Sequence, residues 1–444
     1  MSLEKPGNAL VGFHARRLEV AELHPAMSQL MSLSFSNSQQ DSSLPNPSAE
    51  TFKQLQQWEQ EPTEVRHLPS PNLGRVRSIT LNVTQICNLH CTYCAAGGDG
   101  TFGSPVQKMS LEKTLPQLMQ YLEKLEEGDL FHINFLGGEP LLYPEAVNAV
   151  AQFVDERART KKFLAKFVIT TNGTLITDRV IEILCKHQMH VNVSIDGPAT
   201  INDRVRPGKS GQGVTERVLA GLKKLSGCKS QLSSLGVTGV FDRNNLFLDE
   251  AYGLYRDLNV DWYEFNFSHT ETDLAASKVF AEKFEFLIDA AFAWGGEAEV
   301  RKFRFYDLLF SQLDEQIQSE NFCGAGKSLI MIDAKNDVYP CPWMVGDHDE
   351  KLGEGTYLSE TRLAKLMKPL IELNDCRECW ARFVCGGGCM YIHKHTTGSK
   401  HQKSEAFCER TRQGIAAGIV LYFRSRKSEN GIGSPILKET VSGN

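Results

Sequence analysis

The sequence lacks three features that would place the protein in a membrane, outside the cell or on nucleic acid. No apolar run among its 444 residues approaches the roughly 20 residues that a membrane-spanning helix needs. The N-terminus has no basic segment followed by an apolar core, which a secretory signal peptide would have. The net charge of -6 argues against a broad basic face for nucleic acid. We therefore expect a cytoplasmic protein with neither a membrane nor a nucleic acid as partner.

Cysteine, by contrast, is abundant and unevenly placed. Of the 12 cysteines, three lie at positions 87 to 94 and seven lie between positions 323 and 408. Only Cys185 and Cys228 fall between these groups, and we interpret them as ordinary packed thiols. In a long cytoplasmic chain, clustered cysteines indicate metal binding or catalysis rather than disulfide bonds.

A regular alternation of strands and helices begins near residue 75 and continues to about residue 300. Six segments rich in β-branched and aromatic residues are each followed by a helical pattern. These segments are "VRSITLNV", "FHINFL", "KFVITT", "HVNVSID", "LGVTGVF" and "WYEFNFS". Such alternation predicts an α/β fold with parallel strands and right-handed crossovers, as either an open doubly wound sheet or a barrel.

Four unusual loops follow the first four strands in turn. They are "CNLHCTYC", "GGEP", "TNG" and "SIDG". In both candidate architectures, ligand chemistry collects at the carboxyl ends of the parallel strands. We therefore expect all four loops to lie on one face of the domain.

The first of these loops holds three cysteines at the spacing C-x3-C-x2-C, namely Cys87, Cys91 and Cys94. Cysteine thiolates at short spacing bind zinc or an iron–sulfur cluster. Structural zinc normally has four protein ligands, and the one further candidate, His90, is adjacent to Cys91, so the two cannot easily reach the same ion. A cubane cluster can instead leave its fourth iron open to an external ligand. We therefore favour a cluster over zinc.

This loop, together with "GGEP", "TNG" and "SIDG", resembles the radical S-adenosylmethionine superfamily over about residues 75–300. The resemblance implies a partial (β/α)6 barrel and a [4Fe-4S] cluster whose open iron binds the amino and carboxylate groups of S-adenosylmethionine. It also implies cleavage of that cofactor to a 5'-deoxyadenosyl radical, which abstracts a hydrogen atom from the substrate.

The resemblance also implies which residues contact S-adenosylmethionine. They are Tyr93, Gly137, Gly138, Glu139, Asn172, Ser194, Asp196 and Arg206. The two glycines let the backbone approach the amino group, and the glutamate adds negative charge near it. The asparagine, the serine and the aspartate lie where the family contacts ribose or carboxylate. Arg206 either pairs with the cofactor carboxylate or forms a structural salt bridge, and Tyr93 lies beside the adenine or is simply packed.

The second group of cysteines includes the block "CRECWARFVCGGGC", with the spacing C-x2-C-x5-C-x3-C. A zinc ribbon is one interpretation, but seven thiolates would leave one of two zinc sites short of a ligand. The pattern over residues 320–410 resembles the SPASM domain, which carries auxiliary clusters. That resemblance implies one [4Fe-4S] cluster on Cys376, Cys379, Cys385 and Cys408. It implies another on Cys323, Cys341 and Cys389, and hence three clusters in all.

One position departs from the SPASM pattern. The family usually has glycine five residues before the second cysteine, where this sequence has Asn336. Asparagine adopts left-handed backbone conformations more readily than most other residues. We therefore expect the turn to persist.

The expected organisation has four parts. Residues 1–74 form an N-terminal extension, with a candidate leader-peptide recognition module and a linker. Residues 75–310 form the partial barrel, residues 311–412 the SPASM domain, and residues 413–444 a C-terminal helix and tail.

The resemblance to SPASM enzymes implies a maturase that modifies residues of a peptide or protein, with a reductant such as flavodoxin or ferredoxin. Sulfatase maturases, which form formylglycine, look fully ligated through an extra cysteine soon after Cys323, and this sequence has none there. They also carry an aspartate base where this sequence has Pro342. We therefore favour peptide crosslinking, through a thioether ahead of a carbon–carbon bond, with formylglycine formation as the alternative. We assign no catalytic residue beyond the cluster ligands. A non-catalytic zinc-bound interaction module would explain the C-terminal cysteines but not the "GGEP", "TNG" and "SIDG" loops.

Overall fold

The computed structural model describes residues 2–4, 10–23, 49–61, 66–67, 76–94 and 107–430. The linker predicted between residues 34 and 50, except for its last two residues, lies outside this described part, as does the polar tail after residue 430.

The described chain contains strands in three sheets. The strands are β1 (Ser2–Glu4), β2 (Leu10–His14), β3 (Glu19–Leu23), β4 (Arg66–His67), β5 (Ser78–Asn82), β6 (Leu130–Leu136), β7 (Leu164–Thr171), β8 (His190–Ser194), β9 (Ser234–Phe241), β10 (Trp262–Phe267), β11 (Ile317–Gln318), β12 (Leu329–Ile332), β13 (Asp337–Tyr339), β14 (Gly353–Glu354) and β15 (Tyr357–Leu358).

Helices connect and cover these strands. They are α1 (Ala49–Gln60), α2 (Leu111–Leu122), α3 (Pro144–Lys161), α4 (Asp178–Lys186), α5 (Ala199–Val205), α6 (Thr215–Gly227), α7 (Leu248–Asp257), α8 (Leu274–Val300), α9 (Arg304–Glu315), α10 (Glu360–Ala364), α11 (Leu370–Leu373), α12 (Arg382–Cys385), α13 (Met390–Thr397) and α14 (Glu405–Asn430).

Strands β5 to β10 form the predicted series of six. They lie side by side in chain order and every neighbouring pair is parallel. Alternate residues of β6 and β10 are buried, as expected for strands with one face against the helices. The prediction of an α/β fold with six parallel strand–helix units is confirmed. Strand β10 ends the sheet, so the arrangement is an open, partial barrel.

The C-terminal region extends the same sheet. Strand β12 pairs in parallel with β5, and β13 to β15 continue in antiparallel order, so the sheet has ten strands. Asn336, just before β13, has a φ of 70°, which confirms the expected left-handed turn. Its side-chain amide donates to Thr114 Oγ1 and Gln117 Oε1, at 3.0 and 2.8 Å, and so joins this turn to helix α2.

The N-terminal strands form a separate antiparallel sheet in the order β1, β2, β3. Phe13 of β2 meets Trp380 edge to face, with ring centroids 6.0 Å apart. Lys427 of α14 forms a 2.9 Å ion pair with Glu22 of β3. The N-terminal sheet therefore packs against the C-terminal part of the chain.

Helix α14 contains the predicted helical segment "RTRQGIAAGIVLYFRS" and packs along α8. Ile415, Ile419 and Leu421 on its inner side are each at most 1% exposed. In the described part of the chain, no helix is long and apolar enough to cross a membrane.

Candidate active site

The three-cysteine loop follows β5, and its backbone is held by neighbouring segments. The amide of His90 donates to the Pro207 carbonyl at 2.9 Å, and the amide of Cys94 donates to the Cys91 carbonyl at 3.2 Å. Cys87 and Cys91 are half-buried, whereas Cys94 is exposed. Burial raises the pKa of the Cys87 thiol and raises that of Cys91 to about 11. Because thiolates are the ligating form, this pocket needs a cationic partner to hold the thiolates.

The "GGEP" loop after β6 lies directly on the backbone of the three-cysteine loop. The amides of Gly138 and Glu139 donate to the carbonyls of Thr84 and Ile86, at 2.7 and 2.8 Å. A Cβ at Gly138 would lie 2.3 Å from the Ile86 oxygen and 2.8 Å from the Cys87 nitrogen. A Cβ at Gly137 would lie 2.3 Å from the Thr84 oxygen. Both glycines are therefore required for the close approach of the two loops.

Glu139 joins the "GGEP" and "TNG" loops through a fully buried carboxylate. It accepts hydrogen bonds from the Thr171 hydroxyl, the Asn172 amide and the Leu141 amide, at 2.7, 2.7 and 2.9 Å. Burial raises the pKa of Glu139, and these hydrogen bonds oppose the shift. The carboxylate thus has a positioning role within the protein. Its contact with the cofactor amino group stays a prediction.

The side chain of Asn172 lies beside the first cysteine. Its Nδ2 donates to Asn88 Oδ1 at 2.8 Å and lies 3.8 Å from the Cys87 sulfur. Its Oδ1 accepts from the amide and hydroxyl of Thr174. Asn88 was not predicted as a site residue. Its position between Cys87 and Cys91 nevertheless indicates that it lies close to these cysteines and their neighbours.

Tyr93, Asp196 and Arg206 come together beside the three-cysteine loop. The Tyr93 hydroxyl donates to Asp196 Oδ2 and accepts from the Arg206 guanidinium. The Arg206 and Asp196 side chains approach to 3.9 Å. Burial raises the pKa of the Asp196 carboxyl, and the Arg206 guanidinium opposes that shift. In this geometry Arg206 forms the structural salt bridge. Ser194, the last residue of β8, is partly buried.

Four C-terminal cysteines line one cavity of about 310 Å³, namely Cys376, Cys379, Cys385 and Cys408. Burial raises the pKa of Cys385 to about 12, and the other three thiols add to this shift. Lys403 and Arg412 line the same cavity, so positive charge faces the sulfurs. A cavity surrounded by four thiols, with cationic groups on its wall, fits a cluster held by four thiolates.

The other three C-terminal cysteines, Cys323, Cys341 and Cys389, form a second set. Burial raises the pKa of Cys341, and the neighbouring Cys389 and Cys323 thiols contribute. Burial also raises the pKa of Cys389 to about 11, with a further contribution from Cys323. The structure thus groups the seven cysteines as four and three, in the sets expected from the sequence. The binding of a cluster by each set stays a prediction.

In the described part of the chain, no three His, Cys, Asp or Glu side chains converge on a point where one metal ion could bind. A cubane cluster does not need such convergence, because each thiolate binds its own iron.

A larger cavity of about 950 Å³ lies between the edge strand β10 and the C-terminal region. Glu264 and Asn266 of β10 line one wall, and Cys323 and Cys385 line the other. The cavity therefore adjoins one cysteine of each C-terminal set. His269, just after β10, also lines it, and burial together with Arg410 lowers the pKa of this imidazole to about 4.

Comparison with known proteins identifies the class to which this site belongs. Residues 81–245 match the family model of the Radical SAM superfamily. The segment at residues 81–245 is therefore similar to radical SAM domains, which supports the prediction that the protein is an enzyme.

Similar curated proteins include maturases. Mycofactocin maturase MftC of Mycobacterium tuberculosis is 25% identical over 332 residues, which cover 70% of this chain and 78% of that protein. The cysteine-type anaerobic sulfatase-maturating enzyme of Clostridium novyi is 22% identical over 362 residues, which cover 73% of this chain and 90% of that enzyme.

Solved structures share the fold. A structure described as anSMEcpe with bound AdoMet has a TM-score of 0.64 and 19% identity, covering 80% of this chain and 96% of that chain. Streptococcus suis SuiB bound to the precursor peptide SuiA has a TM-score of 0.52 and 14% identity, covering 90% of this chain and 96% of that chain.

Proposed function

We propose that this protein is a maturase that uses a 5'-deoxyadenosyl radical to modify residues of a peptide or protein, and that the modification is a thioether crosslink. The observation that carries this proposal is the extent of the similarity to maturases. It covers 70 to 73% of the chain and so extends well beyond the radical SAM domain at residues 81–245.

The residues at the mouth of the barrel fit S-adenosylmethionine and its cluster. Cys87, Cys91 and Cys94 would hold three irons of a [4Fe-4S] cluster. When bound, this cluster supplies the electron that cleaves the cofactor to the 5'-deoxyadenosyl radical. Gly137 and Gly138 leave the space next to the loop free of side chains. Glu139 fixes the position of Asn172 beside Cys87.

The second auxiliary set supports crosslinking over formylglycine formation. Cys323, Cys341 and Cys389 supply three thiolates, so a cluster there would keep one iron open to a substrate thiolate. Pro342 follows Cys341 and begins a short 3-10 helix, Pro342–Met344, and proline cannot accept a proton.

Two of the acidic side chains that follow Pro342 along the chain are already engaged. Asp347 pairs with Lys394 at 2.6 Å, and Glu350 pairs with Lys394 and Lys400 at 2.9 and 2.7 Å. These lysines lower the pKa values of both carboxyls below their ordinary range. Neither carboxylate is therefore suited to replace the aspartate base of a sulfatase maturase.

The remaining parts of the proposal concern partners and organisation. Residues 75–310 would form the radical SAM domain, and residues 311–412 the SPASM domain with two auxiliary [4Fe-4S] clusters. The N-terminal extension, residues 1–74, would recognise a leader segment of the substrate. Its three-stranded sheet packs against the C-terminal region, which supports a role next to the auxiliary sites. A flavodoxin or ferredoxin would supply electrons in the cytoplasm.

The first test is anaerobic reconstitution followed by analysis of iron, acid-labile sulfide and 5'-deoxyadenosine. We expect about twelve irons per chain, four for each of three clusters, and cleavage of S-adenosylmethionine. A chain that binds only zinc and forms no 5'-deoxyadenosine would contradict the proposal.

The second test is coexpression with short cysteine-containing peptides encoded by neighbouring reading frames, with mass spectrometry of the product. A thioether predicts a loss of two hydrogens and a thiol that no longer reacts with iodoacetamide. A product that reacts with an aldehyde reagent would instead indicate formylglycine.

A further inference from the structure

Arg410 lines the large cavity from helix α14. Its guanidinium carbon lies 4.5 Å from the centre of the Phe267 ring and 5.7 Å from that of Phe407. One guanidinium nitrogen donates a hydrogen bond to the Ser277 hydroxyl. Two aromatic rings and one hydroxyl group thus fix the position of this side chain.

This guanidinium has no acidic partner in the described part of the chain. Among the described residues, no Asp or Glu oxygen lies within 4.0 Å of a guanidinium nitrogen of Arg410, the distance that defines an ion pair. The neighbouring His269 has its pKa lowered to about 4 by burial and by Arg410.

Several buried or half-buried arginines of this protein do have such partners, although Arg382 and Arg412 have none within the part of the chain that the structure describes. Arg206 lies 3.9 Å from Asp196, and Arg301 and Arg426 each lie 2.7 Å from Glu297. A buried charge without a partner is unfavourable, because the protein interior does not replace the water that the charge has lost. What distinguishes Arg410 is that its unpaired guanidinium is held between two aromatic rings in the wall of the large cavity, so a carboxylate partner could arrive with a ligand.

Carboxylate is the chemistry that best matches this site. A guanidinium binds a carboxylate through two parallel hydrogen bonds, and its geometry is fixed in advance by the two aromatic rings. The cavity around it is lined by further aromatic side chains, including Phe280 and Phe322, which suit the apolar part of a peptide.

We propose that Arg410 binds a carboxylate of the substrate inside this cavity, either an acidic side chain or the C-terminal carboxylate of a peptide. This inference rests on the proposed function in one respect, namely that the occupant of the cavity is a peptide. A different role for the same charge would be to balance a cluster on Cys408, two residues earlier, and the experiment separates the two roles.

The experiment measures binding of three matched probes to the anaerobically reconstituted protein by equilibrium dialysis. The probes are N-acetyl-Phe-Glu-amide, with a side-chain carboxylate, N-acetyl-Phe-Gln with a free C-terminus, and N-acetyl-Phe-Gln-amide, with no carboxylate. We expect one of the two carboxylate probes to bind about tenfold more tightly than the neutral probe. Which of the two does so identifies the source of the carboxylate.

The variants are Arg410→Gln and, as a matched control, Arg412→Gln. Arg412 lies on the same helix and also close to Cys408, but it lines the smaller four-cysteine cavity. We expect Arg410→Gln to abolish the preference for carboxylate and Arg412→Gln to preserve it. Iron content and thermal unfolding verify that both variants are assembled, and Arg410→Lys provides a second test if the glutamine variant fails to fold.

Two results would overturn the inference. One is an absence of carboxylate preference in the unsubstituted protein. The other is an unchanged preference in Arg410→Gln together with an altered reduction potential of the clusters, which would assign the charge to cluster balance. The readout does not depend on turnover. A protein that prefers carboxylate probes but modifies no peptide would contradict the proposed function alone.

Discussion

Substitution of Gly138 by alanine tests whether the "GGEP" loop holds the three-cysteine loop in place. The new Cβ would lie 2.3 Å from the Ile86 oxygen, whereas ordinary contacts begin near 3.4 Å. The two backbones would therefore have to separate by about 1 Å, a displacement large enough to lower the rate of a positioned reaction about 100-fold. The neighbouring hydrogen bonds from Gly138 to Thr84 and from Glu139 to Ile86 would lengthen with it.

Two measurements give the size of the effect. The lost backbone contacts and the steric strain should lower the free energy of unfolding of the cluster-free protein by about 2 kcal/mol, as seen by urea denaturation. The reconstituted variant should lose the irons held by Cys87, Cys91 and Cys94 and should form 5'-deoxyadenosine about 100-fold more slowly. The auxiliary irons should remain.

Gly253→Ala is the matched control. Gly253 lies within helix α7, and a Cβ there would have no atom within 4 Å. Alanine should raise the free energy of unfolding by about 0.5–1 kcal/mol, because glycine loses more backbone entropy on folding. If Gly138→Ala instead behaves like this control in stability, iron content and cofactor cleavage, the role assigned to the loop contact is wrong.

Three further predictions concern single side chains. Glu139→Gln should destabilise the protein by about 2 kcal/mol in urea, because an amide cannot accept all three hydrogen bonds that the carboxylate accepts, including that from Asn172; equal stability would contradict this. For His269, the lowered pKa of about 4 means that the unfolded chain takes up a proton below pH 6.5 while the folded chain does not. Stability should therefore fall by about 2 kcal/mol between pH 7 and pH 5, and His269→Phe should remove that part of the fall, whereas identical pH profiles would refute the assignment. Cys341→Ala should remove about four irons and leave cleavage of S-adenosylmethionine intact, while Cys185→Ala should keep the full iron content; equal losses in both variants would show that the grouping of the cysteines is wrong.

The barrel elements could be predicted closely from the sequence because each carries its own periodic pattern. The strand expected at "WYEFNFS" is Trp262–Phe267, and the strand expected at "FHINFL" lies within Leu130–Leu136. Helix Ala199–Val205 was not anticipated, since seven residues are too few to show a helical period. The pairing of Leu329–Ile332 with Ser78–Asn82 joins segments about 250 residues apart, and no local pattern reports such a contact.

The candidate site could likewise be predicted from the sequence only in part. The sets of four and three C-terminal cysteines were expected from the resemblance to the SPASM domain, whereas their spacing alone also allowed zinc. The contacts of Glu139 with Asn172 and of Tyr93 with Arg206 depend instead on how loops from different strands meet. Neither these hydrogen bonds nor the absence of a carboxylate beside Arg410 leaves a signal in the sequence, since each becomes visible only after folding.

The position of the large cavity bears on the kind of substrate. One wall is the edge strand β10, and the other carries Cys323 and Cys385, one from each auxiliary set. The cavity has a volume of about 950 Å³, near the upper end of the range for small-molecule sites. An extended peptide crosses a cavity of this size with few residues, at roughly 3.3 Å for each. The size of the cavity is thus compatible with the proposed peptide substrate, and a carboxylate bound at Arg410 would fix the register in which such a peptide lies.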